Sequence, residues 1–279
     1  MNKTWGWIFA FLILFSLNRS VAATTGKHFD RAIFVVFENT DYSDAIAQPF
    51  FKQLAEHGAL LSKLSALTHP SQGNYIGLTS GALQGVTDDE DFDLNVRNIA
   101  DLLEAKGLTW KVYAEGYPGH CFSGSSMNGY FRKHNPFISY TNIRTNPSRC
   151  ANIVDASQFD KDVASGSLPN YVFYIPDIRN DGHDTGVQYA DKWYARRFSA
   201  LVNDRRFMEK TVLISTFDES GSESPNHIYT SIVGPAVEPG IYPDHLNIYS
   251  LLSLVEDNWN LATLGINDAQ AKPVPDIWK

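Results

Sequence analysis

Five short runs along the chain are apolar at almost every position: residues 32–37, 110–114, 171–175, 212–217 and 228–233. A strand with one wet face alternates apolar and polar residues. Unbroken runs rich in β-branched and aromatic side chains are instead what a parallel sheet covered on both faces requires. Between these runs, helical patterns cover 46–56, 96–106, 188–202 and 246–259, and Gly58 and Gly107 follow two of them as expected C-terminal stops. Strands alternating with helices predict an α/β sandwich with a mostly parallel central sheet flanked by helices.

The start of the chain has a different pattern. Lys3 precedes an apolar run over 5–17, and small residues follow at Ser20, Val21, Ala22 and Ala23. That is the order of a secretory signal peptide over 1–23, because the run is shorter than the ~20 residues a spanning helix needs. Residues 24–279 are then expected to form a single domain, secreted or periplasmic, with no stable transmembrane anchor after processing. The 279 residues carry 23 Lys plus Arg against 31 Asp plus Glu, a formal charge of −8, and loss of Lys3 and Arg19 with the leader makes the rest more acidic. Such a balance argues against nucleic acid as a partner, since binding it depends on neutralising phosphates with Lys and Arg. It leaves room for a small phosphorylated substrate bound through a cation. Cys121 and Cys150, an even pair in an exported chain, read as a disulfide tethering an insertion near 115–152.

Polar residues gather where the apolar runs end. Glu38 and Asn39 follow the first run, Asp177 to His183 the third, and Asp218 and Glu219 the fourth. Ligand sites of open parallel sheets lie outside the carboxyl ends of the strands, so these exits are expected at one rim. Oxygen donors from Glu38, Asn39, Asp218 and Glu219 suit a hard or borderline divalent cation, which would offset the repulsion of three carboxylates. The alternative is that each caps a helix or sits in a solvated loop. The stretch Thr68-His69-Pro70-Ser71-Gln72-Gly73-Asn74-Tyr75 sets a serine just before a helical start. Backbone N–H groups there meet developing negative charge, and Asn74, one turn on, is placed to donate to the same oxyanion. Read alone, the stretch is equally a Pro-initiated turn with a Ser cap. Asn180-Asp181-Gly182-His183-Asp184-Thr185 is a tight polar loop whose histidine, on spacing, is a metal ligand, a general acid or a surface residue.

In sequence order, the blocks Phe37-Glu38-Asn39, His69-Pro70-Ser71 with Asn74-Tyr75, Lys133-His134-Asn135-Pro136, Asn180-Asp181-Gly182-His183-Asp184 and Phe217-Asp218-Glu219 resemble the bacterial and fungal phosphoesterases. That family includes acid phosphatases and non-haem phospholipases C, within the alkaline phosphatase superfamily. Asn226-His227-Ile228-Tyr229 and Tyr249-Ser250-Leu251-Leu252 continue the series across most of the chain. The resemblance implies an alkaline phosphatase-like fold, with Glu38 and Asn39 as a first metal-binding pair and Asp218 and Glu219 as a second. It implies Ser71 as nucleophile, ten residues before Gly81 as in the superfamily's pyrophosphatases. Asn74, Lys133 and His183 would be donors around the phosphate, with His134 beside Lys133 in the catalytic group. Asp177 and Asp181 would be ligands of the metal or partners of its ligands. Many relatives have Pro at the position of Gly73, and many have His where this chain has Ile248. The implied activity is metal-dependent hydrolysis of phosphomonoesters by an acid phosphatase, through a phosphoserine intermediate. The implied cofactor is a divalent ion (Ca, Mg, Mn or Zn), and the partner a small phosphorylated substrate or a phospholipid head group. The alternatives are a phospholipase C-type phosphodiesterase and a secreted binding protein that turns nothing over.

Overall fold

The apolar runs form the interior of one large sheet in the computed structural model, which describes residues 25–222 and 225–279 together with Met1. The signal-peptide reading falls on 1–23 and so lies, but for Met1, outside the described residues. In chain order the strands are β1 Arg31–Phe37, β2 Ala59–Leu61, β3 Trp110–Ala114, β4 Ile153–Asp155, β5 Tyr171–Ile175, β6 Thr211–Phe217, β7 Thr230–Val233 and β8 Gly240–Tyr242. They lie side by side in the order β8-β2-β7-β6-β1-β5-β3-β4. β1 is parallel to β5 and β6, and β3 is parallel to β5 and β4, whereas β7 runs antiparallel to β6 and β2. The mostly parallel sheet is therefore as expected, with β7 reversed.

Helices cover both faces. They are α1 Pro49–His57, α2 Gln72–Ser80, α3 Ile99–Ala105, α4 Ser157–Ser165, α5 Val187–Val202 and α6 Ile248–Trp259. Phe34 and Phe37 are three apart on β1 and point to opposite faces. The Phe37 ring lies 4.9 Å from Phe51 of α1 and 4.8 Å from Tyr194 of α5. Phe34 lies 5.4 Å from Tyr171, and Phe137 covers Phe173 at 5.6 Å on that face. Two-sided burial is why the runs lack alternation. Among the described residues no helix is long and apolar enough to cross a membrane.

Several boundaries differ from the sequence reading, each for a local reason. The helix expected over 46–56 is a separate turn, Tyr42–Ile46, followed by α1, because Pro49 stands at the first position of α1, where its missing N–H costs nothing. Gly58 is no left-handed stop: its φ is −138°, and glycine is required because a Cβ would sit 2.3 Å from the Ile232 carbonyl oxygen. Gly107, at φ +76°, does have the left-handed conformation of a stop. α3 begins at Ile99 because Asn98 and Asp101 form a reciprocal capping box. The run 228–233 splits, with His227–Ile228 pairing to Leu64–Ser65 in a small second sheet and Thr230–Val233 staying in the large one. The same small sheet takes Leu246–Asn247 from the start of the helix expected at 246, and Asn247 caps α6.

The register matters most for function. Phe37 and Phe217 are direct partners across β1 and β6, so both strands end at the same height. The disulfide expected between Cys121 and Cys150 is present and joins the turn at 121 to the helical turn Pro147–Cys150, just before β4. With the cysteines 29 positions apart, replacing both by serine (C121S/C150S) is expected to lower the unfolding free energy by about 3 to 4 kcal/mol in the chain-entropy model. Denaturant midpoints of the two proteins measure it. A loss below about 1 kcal/mol would mean that closing this loop contributes little to the fold.

Candidate active site

Because Phe37 and Phe217 are paired, Glu38 and Asp218 leave the sheet together. The Asp218 N–H donates to the Phe37 carbonyl at 2.9 Å, and the Glu38 N–H donates to the Asp181 carbonyl at 3.1 Å, bringing in the loop after β5. The Asn39 N–H reaches Asp218 Oδ1 at 3.3 Å. Three strand exits are thus stitched to one another by main-chain groups. Their side chains are taken out of water: relative exposure is 0% for Glu38, 1% for Asp181, 1% for Asp218 and 2% for Glu219.

Ser71 enters from the side, at the residue preceding α2. It has helical torsions, φ −48° and ψ −52°, and its hydroxyl makes no capping hydrogen bond. That hydroxyl instead lies 2.9 Å from Glu38 Oε2, 3.2 Å from Glu219 Oε1 and 3.3 Å from Asn39 Oδ1. One O–H proton serves only one of three acceptors at a time, so the other oxygens face the lone pairs of Ser71. α2 itself is buried along its whole length. Its Gly77 has no room for a side chain, a Cβ there falling 2.4 Å from Leu67 Cδ1, and its end is turned by Gly81 at φ +75°.

Other groups complete the charge balance. Glu38 Oε1 accepts the Tyr75 hydroxyl at 3.0 Å and lies 2.9 Å from His134 Nε2. His134 stacks on Tyr75 with ring centroids 5.3 Å apart, and its Nδ1 is 3.4 Å from Asp181 Oδ2. Glu219 Oε2 is 2.6 Å from His69 Nδ1. Burial works to raise the Glu38 carboxyl, but the facing His134, then Lys133 and Ser71, bring it down to about 2. The remaining acids move the other way. Burial, then the charge of Glu38, raises Asp181 to about 9. Burial, then Glu38 and Glu219, pushes Asp218 well above the usual carboxylate range. Glu219 is raised by burial and Glu38 against the opposing pull of His69.

The site is therefore short of positive charge. Asp218 Oδ2 is buried and accepts no hydrogen bond, and Asp181 Oδ2 and Glu219 Oε2 also lack one, with their imidazole neighbours near but out of hydrogen-bond line. Natural proteins rarely leave buried carboxylate oxygens without a partner. Among the described residues no three His, Cys, Asp or Glu side chains are arranged by themselves to hold a metal ion. The hydroxyl of Ser71 and the amide oxygen of Asn39 stand among the acids, and this all-oxygen donor set suits a hard divalent cation.

Sequence reasoning and structure agree in bringing Glu38, Asn39, Ser71, His134, Asp181, Asp218 and Glu219 together. Three expected residues are placed otherwise. The Asn74 amide accepts from the Leu67 and Thr68 N–H groups at 2.8 and 3.1 Å and donates one N–H to the Thr68 carbonyl at 2.9 Å, so it staples the turn before Ser71 and keeps at most one N–H for an oxyanion. The Asp177 carboxylate caps its own turn by accepting the Arg179 and Asn180 N–H groups, a local bond open to any Asp at such a position. The His183 ring is exposed and pairs with Asp184 at 2.8 Å, held off by the turn in which its N–H donates to Asp181. Lys133 is close by, its ammonium donating to Asp89 at 2.8 Å. His69, Tyr75 and Asp89 were not read as functional. Adjacency of His69 to Pro70-Ser71 and of Tyr75 to Asn74 was the signal available, and for Asp89 there was none.

Comparison with known proteins follows the same lines. The sequence matches the profile of the Phosphoesterase family over residues 27–262. It is 37% identical over 270 residues to a probable acid phosphatase of Kluyveromyces lactis, covering 90% of this chain and 63% of that one. It is 32% identical over 264 residues to a phosphatidylinositol-3-phosphatase of Mycobacterium tuberculosis, covering 92% and 86%. The chain spans about three fifths of the length of the fungal acid phosphatases it matches. Among solved structures, a protein of the alkaline phosphatase superfamily from Vibrio parahaemolyticus superposes with a TM-score of 0.61 at 14% identity, covering 90% of this chain and 72% of its own. The murine ectonucleotide pyrophosphatase/phosphodiesterase 5 superposes with a TM-score of 0.59 at 12% identity, covering 89% and 100%. These last two show the fold alone. On the match to its profile and the identity to its members, the chain belongs to the phosphoesterase family.

Proposed function

We propose that this protein is a metal-dependent phosphomonoesterase in which Ser71 is the nucleophile, acting as an exported acid phosphatase with residues 24–279 as its catalytic domain. The observation that carries the reading is the uncapped Ser71 hydroxyl, buried among oxygens of Glu38, Glu219 and Asn39 at the start of a buried helix. The acid phosphatase and phosphatidylinositol-3-phosphatase relatives support monoester chemistry, on a small molecule or a phosphorylated lipid head group. The Cys121–Cys150 disulfide supports an oxidising compartment.

Glu38, Asn39, Asp218 and Glu219 would hold the cation, with Asp181 behind them. When bound, the ion supplies Lewis-acid polarisation of the phosphate and stabilises the serine alkoxide. The chain's own groups do the rest. Ser71 Oγ attacks phosphorus as the ester oxygen leaves in line. Of the two carboxylates against its hydroxyl, Glu219 is the better proton acceptor, because Glu38 is held down to about 2 while Glu219 is raised. Tyr75 and His134 hold Glu38 in place. Water then cleaves the phosphoserine and returns the proton to Ser71. His183 retains the role of solvent-side acid that the family resemblance implies once its ring turns away from Asp184.

S71A is expected to lower turnover of p-nitrophenyl phosphate by at least about a thousandfold. Its unfolding free energy is expected to fall by about 1 to 3 kcal/mol, because the buried Glu38 carboxylate loses a donor. Retained turnover together with that cost would make Ser71 a structural donor only. An active wild type that prefers the bis-ester analogue would assign the chain to the phosphodiesterases instead.

D218N and E219Q should each lose bound divalent metal on dialysis and lose activity with it, because an amide offers a dipole where a carboxylate offers a charge. Elemental analysis is the measurement, and metal content equal to wild type in both would remove these residues from the ion.

Metal-free protein should become less stable as pH rises. Asp181 sits at about 9 in the folded state against an ordinary value of 3.8, so between those limits the folded chain binds a proton that the unfolded chain has released. Asp218 and Glu219 act in the same direction. Glu38 acts oppositely, but only below its ordinary 4.5 and down to about 2, outside this window. In chelator, the urea midpoint should therefore fall from about pH 5 to about pH 8, and D181N should flatten the fall. A midpoint that rises over that interval would contradict the charge shortage.

A further inference from the structure

Asp89 bridges Gln72 and Lys133. Its Oδ1 accepts the backbone N–H of Gln72, the residue after Ser71, at 3.0 Å, and its Oδ2 accepts from Lys133 Nζ at 2.8 Å. The loop that carries it is itself held from below. With its amide nitrogen turned toward the loop, the fully buried Gln72 side chain donates to the carbonyls of Asp88 at 3.1 Å and Glu90 at 2.7 Å. Lys133 is largely covered, with 16% of its side chain exposed, and its ammonium lies in the field of Glu38 and Asp218.

A lysine on a flexible stem is a poor phosphate receptor until something fixes its direction. Asp89 takes one of the three ammonium protons and leaves two free to meet an anion. The same carboxylate lies on the first N–H of α2, so Lys133 is referred directly to the helix that presents the nucleophile. We propose that Asp89 is a positioning residue: by bridging the Gln72 N–H and the Lys133 ammonium, it fixes that ammonium beside Ser71, where it receives the phosphate of a monoester. This rests on the phosphomonoesterase reading above. The opposite arrangement, in which the Asp89 carboxylate occupies the place of the phosphate and must leave before substrate binds, predicts effects of opposite sign.

The test is a double-mutant cycle of D89N and K133M, read as KM for p-nitrophenyl phosphate, kcat, and Ki for inorganic phosphate, with thermal unfolding as a control. D89N is expected to raise KM and Ki about tenfold, as for loss of a charge-assisted hydrogen bond, while kcat changes less. In the K133M background it should add less than about twofold, because two residues acting through one contact are not additive. A Ki that is unchanged or lower in D89N would overturn the proposal, as would losses that multiply in the double variant. A purely structural role would lower the unfolding temperature without moving Ki. Should D89N fail to fold, D89E, which keeps the charge on a longer stem, enters the same cycle, and a Ki equal to wild type in the presence of a folded K133M with raised Ki would support the clamp. A wild type inert toward every phosphate ester would overturn the phosphomonoesterase reading and this one with it, whereas an active wild type matched by D89N overturns the clamp alone.

Discussion

Two carboxylates leave the sheet at one height because Phe37 of β1 is the register partner of Phe217 of β6, and burial makes their charge the dominant energetic fact of the rim. Parallel pairing fixes this strictly: a slip of one residue would turn each strand's buried face to the wrong side. With six consecutive positions from Ala32 to Phe37 buried on two sides, β1 has no tolerance for such a slip. The aromatic packing of Phe37 against Phe51 and Tyr194 thus does more than hold two helices to a sheet. It sets where Glu38 begins, and hence how close Asp218, Asp181 and Glu219 come to it.

Concentrating acids in this way is costly unless something neutral or positive answers them. The protein answers in part. His134 with Tyr75 secures Glu38, His69 leans on Glu219, and Lys133 contributes its field from behind Asp89. What is left over, above all the unpartnered Oδ2 of Asp218, is negative charge that the proposed divalent cation would answer. The helix that follows Ser71 is fixed at its two ends by different means. Asn74 fastens the turn before Ser71, and at the far end Gly81 leaves room for Asp268, whose Oδ1 would lie 2.5 Å from any Cβ there. A helix anchored at both ends keeps the Ser71 hydroxyl aimed at the acids with no need to cap its own backbone.

Much of this was legible in the amino-acid order because burial leaves strong marks. The runs at 110–114 and 171–175 became β3 and β5 with unchanged limits, and Glu38, Asp181, Asp218 and Glu219 from the strand exits lie buried together at one rim. Three-residue strands such as β2 and β8 carry too little apolar pattern to be seen. Asn74, Asp177 and His183 make short-range bonds that spacing alone does not reveal, the first two to nearby backbone and the third to its neighbour Asp184. Gly58 looked like a helix stop, whereas its need comes from the carbonyl of Ile232, far away in sequence. Such long-range demands, like that of Asp89 on Lys133, leave no trace in local spacing.

The central claim is that the ester phosphate passes through Ser71, so the most direct measurement is the stereochemical course at phosphorus. A chiral phosphorothioate monoester, transferred or hydrolysed by the wild-type protein in isotopically labelled water, undergoes two in-line displacements if a phosphoserine forms and one if water attacks directly. The account predicts net retention of configuration. Net inversion would contradict it and leave the Ser71 hydroxyl as a bystander among the acids.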